Sequence, residues 1–218
     1  MTPKSFLLTD ELHRYLLDHT DPIDAVQRDL IDETAALGGI ASMQIAPEQG
    51  AFMTMLTRLM GVTSAIEIGT FTGYSALAIA RGLPPGGRLL CSDVSPEWTD
   101  IAKRYWHRAG VGGLIELTLG PALDTLRSLP LDPAYELAFV DADKVEYPAY
   151  VEELYPRIRT NGLLVIDNTL RDGRVMPGHE ENDADRIIAG FNHALAVDQR
   201  FDTVLLPLAD GLTLLRKR

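Results

Sequence analysis

Three oxygen-bearing side chains, Asp141, Asp167 and Asn168, each stand where an apolar, strand-like run ends. A glycine turn, Glu67-Ile68-Gly69-Thr70-Phe71-Thr72-Gly73, follows another such run. Carboxylate and amide oxygens without a Cys or His partner are hard donors, suited to Mg²⁺, with Mn²⁺ or Ca²⁺ as alternatives, rather than to zinc. Two adjacent open positions on such a cation would accept a vicinal diol. The competing reading is that acidic residues merely end strands and cap helices. It explains any one of the three more readily than the set.

Gly69 and Gly73 precede a helical pattern at Tyr74 to Arg81, the position at which open α/β sheets bind ligands. The spacing is G-x-x-x-G, without the G-x-G-x-x-G that seats a pyrophosphate or the G-x-x-x-x-G-K-[ST] of a P-loop. Asp93 ends the next strand twenty residues after Gly73, a separation at which an acidic side chain accepts from ribose hydroxyls. Alternatively Asp93 caps the helix at Pro96, although Ser95 is the better cap. An adenosine-bearing cofactor without a diphosphate fits, and S-adenosylmethionine is the common one.

These groups need a scaffold, and alternating apolar runs supply it. Strand-like runs fall at Val62 to Ile68, Arg88 to Val94, Leu114 to Leu119, Tyr135 to Val140 and Leu163 to Ile166, separated by helical patterns. That alternation predicts an α/β fold with a doubly wound, mostly parallel sheet. Phe201 to Leu208 and Leu212 to Arg216 flank Ala209-Asp210-Gly211 and predict an antiparallel hairpin, giving seven strands with the last reversed. A further helix is expected at Asp183 to Val197. Ahead of the sheet, Ser5 to Asp18, Asp24 to Leu37 and Pro47 to Met60 read as helices. Met53, Met55 and Met60 in the third are taken as core filler. The expected organisation is one domain over 1–218, with a helical cap at 1–60 and the α/β core at 61–218. No fixed-period repeat interrupts it.

Composition narrows the partners. The formal charge of −11 argues against nucleic acid or an anionic membrane, and favours a small molecule. The single Cys91 cannot form an internal disulfide, and neither a leader nor an apolar run of about 18 residues is visible. A cytoplasmic protein is expected. The five histidines lack ligand spacing and no G-x-S-x-G elbow occurs, which leaves hydrolase chemistry unsupported.

Glu67-Ile68-Gly69-Thr70-Phe71-Thr72-Gly73-Tyr74-Ser75, Phe139 to Lys144 and Val165 to Leu170 resemble the cation-dependent caffeoyl-CoA and catechol O-methyltransferase family. Met43 to Gly50 and Asp210 to Leu214 extend the resemblance over nearly the whole chain. It implies a Rossmann-like class I methyltransferase fold and a homodimer. It further implies that Glu67, Gly69, Ser75, Asp93, Ala122 and Met43 contact S-adenosylmethionine. Asp141, Asp167 and Asn168 would hold the cation, with Asp141 also beside the cofactor. Met43 and Asp210 would meet the acceptor.

A phenol ionises near pH 10, so a metal-held catechol is the expected nucleophile. Lys144, three residues past Asp141, is the candidate general base, with Asp141 as its catalytic neighbour. Arg171 stands where plant members carry a tryptophan against the aromatic substrate, and is expected at the acceptor site. Ser42 stands where the family often has a basic residue. Both departures favour a smaller catechol or phenolic acceptor over an acyl-CoA. Three other readings remain open: a dinucleotide-dependent oxidoreductase, a non-catalytic S-adenosylmethionine-binding protein, and a metal-independent methyltransferase.

Overall fold

The computed structural model describes residues 8–218. Its centre is a seven-stranded sheet, β1 (Ser64–Ile68), β2 (Arg88–Asp93), β3 (Ile115–Leu119), β4 (Tyr135–Val140), β5 (Ile158–Ile166), β6 (Phe201–Leu206) and β7 (Leu212–Lys217). The order is β3-β2-β1-β4-β5-β7-β6. The first five strands are parallel, and β7 lies antiparallel between β5 and β6. The doubly wound fold with a reversed last strand is therefore as expected.

Eight α-helices accompany the sheet among the described residues: α1 (Asp10–Asp18), α2 (Ala25–Ala35), α3 (Pro47–Met60), α4 (Tyr74–Gly82), α5 (Pro96–Arg108), α6 (Ala122–Ser128), α7 (Tyr147–Leu154) and α8 (Asp183–Val197). Of the first expected helix, Ser5, Phe6 and Leu7 lie outside the described residues. Local chemistry sets the ends. Asp24 and Gln27 form a reciprocal capping box, Pro47 opens α3, and Ser95 Oγ accepts from Trp98 N at 3.3 Å. None of the helices is long and apolar enough to cross a membrane.

Strand residues alternate between two apolar layers, as the period of a strand requires. Ala65, Cys91, Phe139 and Val165 face α2, α3, α4 and α5, whereas Ile66, Ile68, Val140 and Ile166 face α6, α7 and α8. The N-terminal helices are thus unequal as a cap. Leu30 of α2 and Met53 of α3 sit inside the first layer, while α1 buries none of its residues. The methionine expectation also divides. Met53 is core and Met60 packs against it, but Met55 is exposed, because a helix on one sheet face buries only one stripe.

β5 begins at Ile158, well before the apolar run at Leu163. After the buried Ile158 come the exposed Arg159, Thr160 and Asn161, a polar stretch that the apolar run could not reveal, and the pairing with β4 shifts between Tyr135 and Leu137.

Candidate active site

Parallel register delivers the site. Ile68 of β1 pairs with Val140 of β4, which pairs in turn with Ile166 of β5, so all three strands end at one level. The ladder runs one residue further: Asp141 N donates to Ile68 O at 2.8 Å and Asp167 N to Val140 O at 3.0 Å. Gly69, Asp141 and Asp167 are therefore neighbours along one edge. Asn168 follows in the left-handed region, with φ 53°. Asp167 Oδ1 accepts from Asn168 N at 2.7 Å.

A cleft of about 1060 Å³ opens above this edge. Met43, Gly69, Ser75, Asp93, Ala122, Asp141, Lys144, Asp167, Asn168, Arg171 and Asp210 all line it. Glu67 is fully buried beneath the turn and is not among the residues that line the cleft. Alternation along β1 points it into the layer containing Ala65, where Cys91 Sγ donates to its Oε1 at 3.8 Å.

The glycine turn is shaped by Asp93. Its Oδ2 accepts from Thr70 N and Phe71 N, both at 2.8 Å, and its Oδ1 from Ser95 N at 2.8 Å. The carboxylate thus organises the turn as well as facing the cleft, a role that sequence spacing did not disclose. Gly73, at φ 83°, cannot be enlarged either. An added Cβ would stand 2.5 Å from Ala102 Cβ and 2.7 Å from Trp106 Nε1.

Charge is concentrated at the Asp141 edge. Lys144 Nζ donates to Asp141 Oδ1 at 2.6 Å and lies 5.4 Å from the centre of the Tyr147 ring. Asp167 is only 2% exposed. Burial, and secondly the like charge of Asp141, raise its carboxyl from 3.8 to about 7. Asp210 is raised as well, chiefly by burial, and its Oδ1 accepts from Asp172 N.

Three cleft residues were not anticipated. Phe71 and Trp98 form an edge-to-face pair, ring centres 5.1 Å apart, and both line the cleft. Trp98 follows Asp93 by five residues, a proximity that could have signalled it. Gln49 is buried yet lines the cleft, and its Nε2 has no hydrogen-bond partner among the described residues.

Glu67 provides a prediction about stability. Burial raises its carboxyl well above the ordinary 4.5. The folded chain therefore holds this proton more tightly than the unfolded chain, and stability falls as pH rises above about 4.5. Glu67→Gln removes that slope. In urea unfolding of the ligand-free protein, the variant should gain on the wild type progressively from pH 5 to pH 8. Parallel pH profiles would show that Glu67 carries no such penalty.

Comparison with known proteins bears on this geometry. The family model described as O-methyltransferase matches residues 20–218. Caffeoyl-CoA O-methyltransferase 2 of Zea mays is 36% identical over 225 residues, covering 98% of this chain and 85% of the relative. Among solved structures, a putative O-methyltransferase from Klebsiella pneumoniae superposes with a TM-score of 0.88 at 30% identity, covering 95% of this chain and 96% of that one. The O-methyltransferase from Bacillus cereus in complex with SAH gives a TM-score of 0.86 at 28% identity, with 95% and 97% covered.

Proposed function

Because this chain belongs to the O-methyltransferase family and is an S-adenosylmethionine-dependent O-methyltransferase, we propose that its acceptor is a small catechol and that a divalent cation assists transfer. The observation carrying this reading is the convergence of Asp141, Asp167 and Asn168 on adjoining strand ends beside the glycine turn.

The donor set suits a hard dication. Among the described residues no three His, Cys, Asp or Glu side chains gather, so the set consists of two carboxylates and one amide oxygen. Asp141 and Asp167 repel one another, and the one lysine bound to Asp141 offsets a single charge. Bound there, a divalent cation would favour ionisation of a catechol hydroxyl and orient both of its oxygens.

The other roles belong to the chain itself. Gly69, Ser75, Asp93, Ala122 and Met43 hold the cofactor in this reading, with Glu67 supporting the turn from below. Asp141 fixes the Lys144 ammonium at 2.6 Å, and Lys144 Nζ, as the neutral amine left once one ammonium proton has passed to solvent, is the atom that takes the acceptor hydroxyl's proton. S-adenosylmethionine, when bound, would supply its sulfonium methyl group to the resulting oxyanion and leave as S-adenosylhomocysteine. Met43, Arg171 and Asp210 contact the acceptor. One domain over 1–218 and a cytoplasmic setting belong to this proposal on the sequence reading, and a homodimer on the resemblance.

The names of relatives favour a second reading, an acyl-CoA phenylpropanoid. Arg171 and the acidic chain speak for the smaller acceptor.

An acceptor panel separates these readings. With S-adenosylmethionine and Mg²⁺, catechol and caffeate should be methylated at least ~100-fold faster than phenol or 2-methoxyphenol, because a site that needs two hydroxyls rejects an analogue with one. Equal turnover of phenol would sink the diol template. Turnover of caffeoyl-CoA alone would establish the second reading.

A further inference from the structure

We propose that Arg171 and Arg174 form a subsite for a carboxylate carried by the acceptor, with Asp185 as the residue that positions them. This deepens the methyltransferase reading above and rests on it.

Asp185, at the start of α8, is fully buried. Its Oδ1 accepts from Arg171 Nε at 2.9 Å, and its Oδ2 lies 3.4 Å from Arg174 Nε. Oδ2 also accepts from Glu181 N at 3.1 Å. One buried carboxylate thus anchors two guanidinium groups, and the second of them also pairs with the exposed Asp172 carboxylate. Both arginines line the cleft.

The anchoring leaves the useful ends of both side chains open. Arg171 commits only its Nε, and its two terminal nitrogens have no hydrogen-bond partner among the described residues. Arg174 uses Nη1 on Asp172 Oδ2 at 3.1 Å, and its Nη2 is likewise unpartnered among them. The Asp172 side chain is 71% exposed, so that pair is a surface interaction of little strength that a ligand can displace. A guanidinium fork with free donors matches a planar carboxylate.

The backbone supports the assignment. Arg171, Asp172 and Gly173 have φ of 52°, 52° and 85°, so two successive residues with side chains occupy the left-handed region. Such strain costs on the order of 1–3 kcal/mol per residue and persists where surrounding contacts enforce it, typically at functional sites. Here Leu170 N donates to Asp210 O, Asp172 N to Asp210 Oδ1, and Asp185 holds the arginine. Reach then limits the ligand. Arg171 is three residues from Asn168, no more than about 11 Å of chain. The charge it reads belongs on the aromatic acceptor or on a short arm, not on the distant phosphates of a CoA ester.

The test compares 3,4-dihydroxybenzoate with its methyl ester, and caffeate with methyl caffeate, in the wild type and in Arg171→Gln, Arg174→Gln and Asp185→Asn. The wild type should favour each acid over its ester by about tenfold in kcat/KM, the scale of one charge-assisted hydrogen bond. Each variant should bring that ratio close to one, a change that loss of loop structure alone would not produce. Equal use of acid and ester by the wild type overturns the proposal, as does an acid preference that survives all three substitutions. Caffeoyl-CoA turnover that depends on these arginines, without an acid preference, overturns it in favour of phosphate contacts. If no catechol is methylated, titration of 3-methoxybenzoate into the S-adenosylhomocysteine complex decides separately. About tenfold weaker binding in Arg171→Gln upholds the subsite although the catechol reading has failed, and unchanged binding overturns both.

Discussion

Asp141→Ala is expected to lower methyl transfer to catechol by roughly 10³-fold, the scale on which removing an electrostatic partner of a developing charge acts. The substitution removes an oxygen donor from the strand-end set and deprives Lys144 of its 2.6 Å partner. Asp141→Asn keeps the shape and should lose nearly as much, which separates charge from folding. EDTA should have the same effect on the wild type, reversed by Mg²⁺. The requirement should also depend on pH. Burial and the charge of Asp141 raise the Asp167 carboxyl to about 7, so below that pH a proton competes with the cation. Half-saturation should need roughly tenfold more Mg²⁺ at pH 6 than at pH 8, since one proton must leave a group titrating near 7. Activity indifferent to both EDTA and Asp141→Ala would mean a metal-independent transferase in which these carboxylates only shape the cleft.

Gly69→Ala should be the most damaging single methyl group in the site. At φ 89° the residue already lies where side chains are strained, and the new Cβ would stand 1.9 Å from Asp141 O and 2.6 Å from Asp141 C. Those are backbone atoms, unable to rotate away. Relief requires the end of β1 to part from the end of β4, displacing the glycine turn and Asp141 together. A stability loss of roughly 3–5 kcal/mol is expected, in the range of severe overpacking. S-adenosylhomocysteine affinity should fall by at least ~100-fold, or about 2.7 kcal/mol. Gly86→Ala is the comparison. It has a similar φ of 82° but nothing within 4 Å of the new carbon, so only the conformational cost of about 1 kcal/mol applies. Thermal unfolding and calorimetric titration of both variants measure the difference. Equal losses would show that φ alone, not the meeting of β1 and β4, requires glycine at residue 69.

Much of the architecture was legible in the sequence because its rules are local. The apolar run at Tyr135 to Val140 gave β4 to the residue, and Pro47 marked the first turn of α3. Ser95 capped α5 as its type and position predict. The turn between Gly69 and Gly73 and the strand ends at Asp141 and Asp167 were visible for the same reason: alternation, capping and glycine conformation are fixed by near neighbours. What these residues meet was decided elsewhere. Asp93 reaches back to the amides of Thr70 and Phe71, more than twenty residues earlier, and so builds the turn it was expected only to face. Glu67 was expected at the cofactor, and only the packing shows that the face of β1 on which it falls turns it into the core. Arg171 gave no sign of its partner, because Asp185 stands fourteen residues on, beyond a polar loop without periodicity. The sequence by itself determined the elements and the chemistry available at their ends. Tertiary structure alone decided which of those groups share a cleft and which are buried or already paired, since strand order and packing join residues whose local surroundings carry no record of one another.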